Sequence, residues 1–535
     1  MVALPGDVLL MILDILKTEG HNHNTLYQCA LASRWLAEPA LSILYQIYDT
    51  SPVAGGGFED DQLKTKKSAS PLGSGASKNA HNSIVQKWAL MWRSLILSTW
   101  QEKTYLPYCK YIRYLNLDDL RELMSDLGMK KTRDEFIAGD LDKLIYRDGR
   151  AGFRTSTGSL NYSAVVERVG TFSARFLKTW AARLPHLETL DVWHGASLGR
   201  NSQEDIREHF PNLKNISVFR WTNENGSSAD SEAESVLKSL RPDSLQSFNV
   251  MSLSDLGPRS IIALGYHLKS LTALTLTSLS IEAIEQLPSL GALESLEDFV
   301  LTDSRQVPQN PPPELISSVA GWICKCEKLR FLRLRRFLDD ANLLSQILVD
   351  KRIHLELLHL KGYMMETSRA FHESLAFQPS LQVLSIQGDG SQNPTDQAVL
   401  VKALSKLGEL RELDLKVISE FFTEQQIMAL IPALPKLERF SFSGLHCDDN
   451  IWPAFLSLKN LRFLAIHASS EFTSDGILDF VSQLGPENEG FHLSIPNALI
   501  EIPPDSQDVI RDALAQNVKG TLDYDVLPGT KNAKL

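Results

Sequence analysis

A recurring pattern of apolar positions organises the chain from residue 187 onwards. Leucine or another apolar residue occupies the first, fourth and sixth positions of a short unit, as in Leu187, Leu190 and Val192. The unit recurs at steps of 24 to 33 residues and begins at Leu187, Leu213, Leu245, Leu271, Leu296, Leu329, Leu355, Leu381, Leu410, Leu437 and Leu461. Because its apolar positions alternate with mostly polar ones, each unit predicts a short strand with one buried face.

Amphipathic stretches with helical spacing separate these predicted strands. They cover residues 232–240, 281–287, 314–323, 341–349, 397–407, 424–430 and 476–484. Strand followed by helix, repeated along the chain, predicts a parallel sheet on one face and helices on the other. The predicted fold class is therefore α/β, a solenoid in which each repeat buries its apolar residues against its neighbours.

These units resemble leucine-rich repeats, whose step is roughly 20–29 residues. The resemblance implies a concave face formed by the sheet and a convex face formed by the helices. It departs from the family at the ninth position of the unit, which is normally Asn or Cys. That position is mostly apolar here, at Leu253, Leu279, Phe337, Tyr363, Ile418 and Leu445.

The first 45 residues follow a different, helical pattern. The apolar residues of the first predicted helix form two stripes, one of Val8, Ile12 and Ile15 and the other of Leu9, Leu13 and Leu16. A short helix with two apolar stripes carries more apolar surface than its own small module covers. The remaining surface is expected to contact the rest of the chain or a partner protein.

This stretch resembles an F-box, the small helical module that docks substrate receptors onto the Skp-type adaptor of SCF ubiquitin ligases. The matching segments are Leu4-Pro5, Ile12-Leu13-x-x-Leu16, Ala30-Leu31-x-Ser33-Arg34-x-Leu36 and Leu44-Tyr45. Ala32 stands where the family has Val, and Trp35 comes one place early. The resemblance implies that the adaptor contacts Leu4, Pro5, Ile12, Leu13, Leu16 and Leu31. The alternative is an ordinary helical cap on the domain that follows.

Composition shifts along the chain predict five regions. They are an F-box-like helical module (1–50), a flexible linker or disordered loop (51–83), a helical insertion with a first irregular repeat (84–186), the solenoid (187–495), and a C-terminal cap and tail (496–535). The linker is rich in small and charged residues, which bury too little apolar surface to offset the entropy of ordering. Near the end we expect a strand at 491–495, a capping helix at 505–518 and a frayed tail at 520–535.

The net charge of -11 and the pI near 5.7 argue against general binding to nucleic acids or anionic membranes. Five scattered cysteines fit a reducing intracellular compartment. No stretch approaches the roughly 18 apolar residues of a membrane helix, and no signal peptide precedes the module. We therefore expect a cytoplasmic or nuclear protein. The final Ala533-Lys534-Leu535 resembles the peroxisomal signal Ser-Lys-Leu, although three residues match readily by chance.

No constellation of residues in the sequence indicates catalysis. Cys324-x-Cys326 lacks a second Cys or His pair at zinc spacing. Acidic residues are dispersed over predicted helix surfaces without a paired arrangement. We therefore expect a binding protein that is not an enzyme and needs no cofactor or metal.

In each predicted strand the fifth and seventh residues point away from the core, and together they form two patches. The apolar patch comprises Trp193, Phe219 and Met251, with Trp221 nearby, and the basic patch comprises Arg333, Arg335, Arg336, His359, Lys361 and Lys416. Exposed aromatic residues are common binding hot spots, and arginines match phosphate or carboxylate oxygens. Alternatively, the insertion at 118–180 covers the first patch, and Glu412 and Asp414 balance the second.

The combined prediction is a substrate-recognition subunit of an SCF-type (Skp–cullin–F-box) ubiquitin ligase. The resemblance implies that the module binds the Skp-type adaptor and through it a cullin–RING core. The repeats would bind a protein substrate, acidic or phosphorylated if the basic patch is the site. One alternative is a repeat scaffold without a ubiquitin role. Another is a small-GTPase regulator that lends an arginine such as Arg333 or Arg335.

Overall fold

The computed structural model describes residues 5–18, 23–46, 75–101, 104–125, 177, 183–199, 203–223, 226–303 and 311–527. The chain divides into two compact units, residues 1–271 and residues 272–535. The predicted adaptor contact Leu4, most of the predicted linker and insertion, and the terminal Ala533-Lys534-Leu535 lie outside the described residues.

The first unit begins with a module of three helices, α1 (Gly6–Thr18), α2 (His23–Ala32) and α3 (Arg34–Leu44). Ser33 starts α3 as its N-cap, because its hydroxyl accepts hydrogen bonds from the backbone N–H of Trp35 and Leu36 at 3.1 and 3.4 Å. The module has a core of its own, formed by Leu9, Leu13, Leu26, Ala40, Ile43 and Leu44.

The rest of the first unit alternates strands and helices. Its elements are α4 (Gly75–Gln101), a 3-10 turn (Tyr108–Tyr111), β1 (Tyr114–Asn116), α5 (Leu117–Ser125), β2 (Thr189–His194), α6 (Ala196–Gly199), α7 (Gln203–His209), β3 (Asn215–Arg220), α8 (Ala229–Ser239), β4 (Ser247–Val250), α9 (Pro258–Leu264) and a second 3-10 turn (Gly265–His267). Strands β1 to β4 are parallel neighbours in chain order. Their register aligns the buried side chains of Leu115, Leu190, Ile216 and Phe248.

The second unit continues the same alternation with ten parallel strands in chain order. Its strands are β5 (Ala273–Thr277), β6 (Asp298–Thr302), β7 (Phe331–Arg335), β8 (Leu357–Met364), β9 (Val383–Asp389), β10 (Glu412–Leu415), β11 (Arg439–Phe442), β12 (Phe463–Ile466), β13 (His492–Ala498) and β14 (Thr521–Val526).

A helix or turn connects each strand of the second unit to the next. The helices are α10 (Ile281–Gln286), α11 (Pro313–Ile323), α12 (Asp340–Ile347), α13 (Arg369–Leu375), α14 (Pro394–Leu404), α15 (Glu424–Leu430), α16 (Trp452–Phe455), α17 (Ser474–Ser482) and α18 (Pro504–Val518), with 3-10 turns at Leu287–Leu290, Met365–Thr367, Ile431–Ala433, Asp449–Ile451 and Pro486–Asn488. Register aligns the fourth positions of the repeats into one buried column that includes Phe299, Leu332, Leu358 and Leu384. This continuous apolar core is the one predicted from the pattern, and the α/β repeat fold is confirmed.

Carboxylates fasten neighbouring repeats to each other. In the first unit, Asp230 at the start of α8 accepts hydrogen bonds from the backbone N–H of Gly257, Arg259 and Ser260, at 2.8, 3.2 and 2.8 Å. These amides start α9, so the carboxylate satisfies donors that the helix itself leaves unpaired. In the second unit, the carboxylate of Asp449 accepts hydrogen bonds from the backbone N–H and the hydroxyl of Thr473.

The structure differs from the predicted regions at two boundaries. Helix α4 begins at Gly75, so the prediction of a linker through residue 83 was wrong in its last part. The frayed tail predicted at 520–535 was also wrong in its first part, because Thr521–Val526 forms β14 and pairs with β13. Its side chains alternate between exposed and buried, which anchors the strand. The capping helix and the strand before it are present.

Candidate protein-interaction surfaces

The three-helix module exposes apolar side chains after its own core is filled. On α1, Met11, Ile12 and Ile15 are 66%, 43% and 53% exposed. Ile15 lies four positions after Met11 and three after Ile12, so its side chain neighbours both on the helix surface. Leu31 on α2 and Trp35 on α3 are also largely exposed. The outer stripe of α1 is therefore the one that contains Ile12.

The predicted adaptor contacts divide between this surface and the core. Pro5, Ile12 and Leu31 are exposed, as an adaptor contact requires. Leu13 is only 2% exposed, so the prediction that its side chain contacts an adaptor was wrong. Leu16 packs against the module core but is only half-buried, and its contact with an adaptor stays a prediction. Both residues belong to the second stripe of α1, which packs against the core of the module.

Tyrosines join the module to the first repeats. The rings of Tyr45 and Tyr108 stack with centroids 4.7 Å apart, and the hydroxyl of Tyr45 hydrogen-bonds to Ser94. Tyr111 donates to the carboxylate of Glu38 on α3 at 3.0 Å. Burial raises the pKa of Tyr45 above its usual value, so this phenol stays protonated. These contacts fix the orientation of the module within the first unit.

The apolar patch of the first unit centres on two stacked rings. Trp193 of β2 and Phe219 of β3 lie 4.0 Å apart between centroids, with 13° between their planes. Met251 follows β4 and is 39% exposed. Trp221 does not belong to this surface, because it is completely buried and a Cβ at Gly195 would collide with its indole ring. The prediction that placed Trp221 near the patch surface was therefore wrong.

The basic residues of the second unit occupy adjacent strands. Register places Arg333 beside His359, and Arg335 beside Lys361, on β7 and β8. Adjacent strands are roughly 4.8 Å apart, so these side chains are close neighbours. Lys416 follows β10, two strands further along the sheet, and does not join the cluster on β7 and β8.

Three of the arginines form ion pairs with two aspartates, Asp298 and Asp303, that the sequence analysis did not identify. Arg333 donates to Asp298 of β6 at 2.5 Å. Asp303 lies 2.9 Å from the guanidinium of Arg336 and 3.9 Å from that of Arg335. Burial raises the pKa of Asp298 although Arg333 acts in the opposite direction, so desolvation outweighs the ion pair there.

The carboxylates proposed to balance the basic patch have other partners. Glu412 lies 3.8 Å from Arg439. Asp414 accepts hydrogen bonds from the side chains of Ser385 and Gln387. Neither contact involves the arginines of β7, and the charge of those arginines is offset by Asp298 and Asp303 instead.

The paired cysteines have the surroundings of structural residues. Cys324 and Cys326 are buried at the end of α11. Burial raises the pKa of the Cys324 thiol to about 12 and that of Cys326 to about 11. Both are therefore protonated and poorly nucleophilic at neutral pH. Within the described ranges, no group of three or more His, Cys, Asp or Glu side chains is arranged to hold a metal ion.

Two solved structures are distantly similar to this chain. The crystal structure of the Rad7 and Elc1 complex in yeast matches with 17% identity over 73% of this chain and 92% of that chain, at a TM-score of 0.37. The crystal structure of the mouse RP105/MD-1 complex matches with 15% identity over 63% of this chain and 68% of that chain, at 0.32. No protein-family model and no curated protein matches the sequence significantly. Among the described helices, none is long and apolar enough to cross a membrane.

Proposed function

We propose that the chain is a substrate-recognition subunit of an SCF-type ubiquitin ligase. Helices α1 to α3 bind a Skp-type adaptor and through it a cullin–RING core, and the repeats bind a protein substrate. The observation that carries this proposal is the exposed apolar face of the small N-terminal module. A contiguous apolar face on a module whose core is already complete is typical of a protein interface.

The exposed side chains supply enough apolar area for specific binding. Complete burial of one large aliphatic side chain contributes roughly 1.5–3 kcal/mol. Met11, Ile12 and Ile15 are each about half exposed, so covering all three contributes about 2–5 kcal/mol. Leu31 and Trp35 add further exposed area on α2 and α3. A partner that covers both the face of α1 and the side chains of Leu31 and Trp35 would therefore bury several large apolar side chains.

The tyrosine contacts between the module and the first repeats support the same role. A receptor increases the reaction rate by holding a substrate lysine near the charged conjugating enzyme, which raises the effective concentration. A fixed joint preserves that concentration better than a flexible one. The stacking of Tyr45 on Tyr108 and the hydrogen bond from Tyr111 to Glu38 provide such a joint inside the first unit.

The test is capture of purified Skp-type adaptor by the full chain. A double variant, Ile12→Asp with Ile15→Asp, changes only exposed positions and should lose capture while keeping its melting temperature. The matched control is Val509→Asp on α18, which is equally exposed but lies in the second unit. Capture by the double variant would refute the assignment of this face of α1 to the adaptor. No capture by the native chain would refute the ligase role and leave a repeat scaffold as the function.

The structure does not favour the small-GTPase alternative. An arginine that completes another protein's active site must be displayed for insertion. The guanidinium of Arg333, one of the two arginines considered for that role, is instead directed to Asp298 within the chain.

A further inference from the structure

Strand β14 has a strand partner on one side only among the described residues. It pairs with β13 in parallel register and stands at the end of the strand order. It has six residues, whereas β1, at the other end of that order, has three. An edge strand carries a row of unpaired backbone donors and acceptors, and proteins often keep such strands short for that reason. A long edge strand is therefore a candidate site for the addition of another strand.

The backbone of β14 directs alternate residues to the open side, away from β13. Thr521 donates its N–H to the carbonyl of Phe491 at 2.9 Å, so this residue faces β13. Successive residues of a strand point their backbone groups to opposite sides, so Leu522 and Tyr524 face the open side. No backbone hydrogen bond from another described residue reaches these two residues on that side. Their N–H and C=O groups are therefore available to an added strand.

The side chains of β14 and the residues around it hold the strand in place. Helix α18 packs against β14, and Leu522 and Tyr524 are 6% and 7% exposed. The hydroxyl of Tyr524 donates to the carbonyl of Ile500 at 2.7 Å. Leu527 continues the pairing after β14, because its N–H donates to the carbonyl of Ala498 at 3.0 Å. The edge is therefore preorganised, and binding does not require the strand to become ordered.

Two aspartates determine the charge of this edge. Asp523 and Asp525 alternate with the buried residues of β14, so both exposed side chains lie on the same face of the strand. A carboxylate oxygen of Asp523 lies 3.5 Å from the imidazole of His492. The segment 501–527, which includes α18 and β14, contains six acidic and two basic residues. The edge and the helix beside it are therefore acidic.

The same carboxylates disfavour a second copy of the chain as the occupant. If two β14 strands paired antiparallel about Tyr524, Asp523 of one copy would face Asp525 of the other. Like charges directly opposite each other destabilise a strand pair, whereas opposite charges stabilise it. A strand with lysine or arginine at every second position would place a cation opposite each carboxylate. Charge complementarity therefore favours a basic, extended segment over a second copy.

We propose that β14 binds an extended basic segment of another protein by strand addition. Backbone hydrogen bonds to Leu522 and Tyr524 hold the segment, and its cations lie opposite Asp523 and Asp525. The residues between the cations point to the other face of the sheet, and β-branched side chains suit such strand positions. This surface belongs to the second unit and does not involve the apolar face of α1. The inference therefore stands or falls independently of the proposed ligase role.

The experiment measures binding of labelled peptides to the full chain by fluorescence polarisation at one fixed salt concentration. The probe is a short peptide in which lysine and valine alternate. A block peptide of the same composition, with all lysines before all valines, keeps the charge and loses the alternation. Two further peptides keep the alternating sequence and carry N-methyl groups on the lysine amides or on the valine amides, which removes one set of backbone donors. We expect the block peptide and at least one methylated peptide to bind at least tenfold more weakly.

Paired substitutions test the two carboxylates. Asp523→Asn with Asp525→Asn should weaken binding of the alternating peptide at least tenfold. The matched control is Asp508→Asn with Asp512→Asn on α18, which removes the same charge from exposed positions of the same segment and should change binding less than threefold. Asp523→Lys with Asp525→Lys should reverse the preference, so that a peptide of alternating glutamate and valine binds instead. Melting temperatures check that every variant is folded.

Hydrogen exchange identifies what occupies the edge. The alternating peptide should slow exchange of the backbone amides of β14 in the native chain. Slowing that grows with protein concentration in the absence of peptide would identify a second copy as the occupant and overturn the proposal. Three other results would also overturn it: no binding of the alternating peptide, equal binding of all the lysine–valine peptides, or equal weakening by the two asparagine variants. In the last two cases the binding would depend on charge alone and not on strand addition.

Discussion

Asp340 is a buried carboxyl group whose protonation should affect the stability of the second unit. It is 6% exposed and lies in the first turn of α12. Burial is the main cause that raises its pKa from 3.8 to about 8, and the neighbouring Asp339 adds to the effect. The backbone near Arg336 and Phe337 offsets only part of this, and no hydrogen bond of normal geometry reaches either oxygen from the described residues.

The direction of the pH dependence follows from these two pKa values. The unfolded chain releases the proton near pH 3.8, whereas the folded chain keeps it until about pH 8. Between these values the folded state binds more protons, so the free energy of unfolding decreases as the pH rises. One pH unit corresponds to about 1.4 kcal/mol, which limits the loss between about pH 4 and pH 7 to about 4 kcal/mol. Relaxation around a buried charge reduces the loss to about 2–4 kcal/mol.

The substitution Asp340→Asn keeps the shape of the protonated side chain and removes its titration. At pH 7.5 the variant should melt above the native chain by at least about 4 °C, since roughly 2–4 °C corresponds to 1 kcal/mol in a unit of this size. At about pH 4.5 the two melting temperatures should nearly coincide. The measurement is thermal unfolding followed by circular dichroism across this pH range.

Asp339→Asn is the control for this prediction. It removes a charge from the adjacent exposed position, and asparagine caps a helix about as well as aspartate. Because Asp339 contributes only a minor part of the raised pKa of Asp340, the difference between this variant and the native chain should grow with pH much less than that of Asp340→Asn. A melting temperature of Asp340→Asn below that of the native chain at pH 7.5, or a constant difference at both pH values, would refute the assignment of a raised pKa.

Three further substitutions test the packing and the proposed adaptor surface. Asp230→Ala leaves the amides at the start of α9 without their acceptor and should lower the free energy of unfolding by about 1–3 kcal/mol in urea titration. Gly362→Ala introduces a Cβ against Arg336 at positive φ and should lower the melting temperature, measured by circular dichroism. Leu13→Ala should destabilise the module by about 2–5 kcal/mol, whereas the exposed Ile12→Ala should cost less than about 1 kcal/mol, measured by hydrogen exchange of α1 to α3.

The regular part of the fold could be predicted from the sequence because each repeat buries the same positions. Every strand from β2 to β12 lies on a predicted Leu-x-x-Leu-x-Leu unit. Helices α8, α10, α11, α12, α14 and α15 lie on predicted amphipathic stretches, whereas α6, α7, α9, α13 and α16 were not predicted. Periodicity reports directly which side of an element is buried. Periodicity does not show where a polar segment becomes a strand by pairing with a neighbouring strand. Thr521–Val526 appears polar in isolation and is ordered by pairing with β13.

The sequence predicted where the candidate surfaces lie along the chain. It did not predict which of their side chains other residues of the chain cover. The two stripes of α1 could be recognised, but a helical pattern alone does not show which stripe the other two helices cover. The structure assigns Leu13 to the core and Ile12 to the surface. Trp221 shows the same limit. Its position suggested an outward-facing ring, but the indole is completely buried and occupies the space that a side chain at Gly195 would fill.

The basic cluster shows why charge has to be judged from pairing and not from spacing. Arg333 and Asp298 are 35 positions apart in the chain, yet register makes them neighbours and their charges offset each other. The same register leaves two arginines sharing Asp303. A count of cations along the chain would treat all three arginines alike. The structure distinguishes Arg333, which pairs with a carboxylate of its own on the neighbouring strand, from Arg335 and Arg336, which contact the same carboxylate.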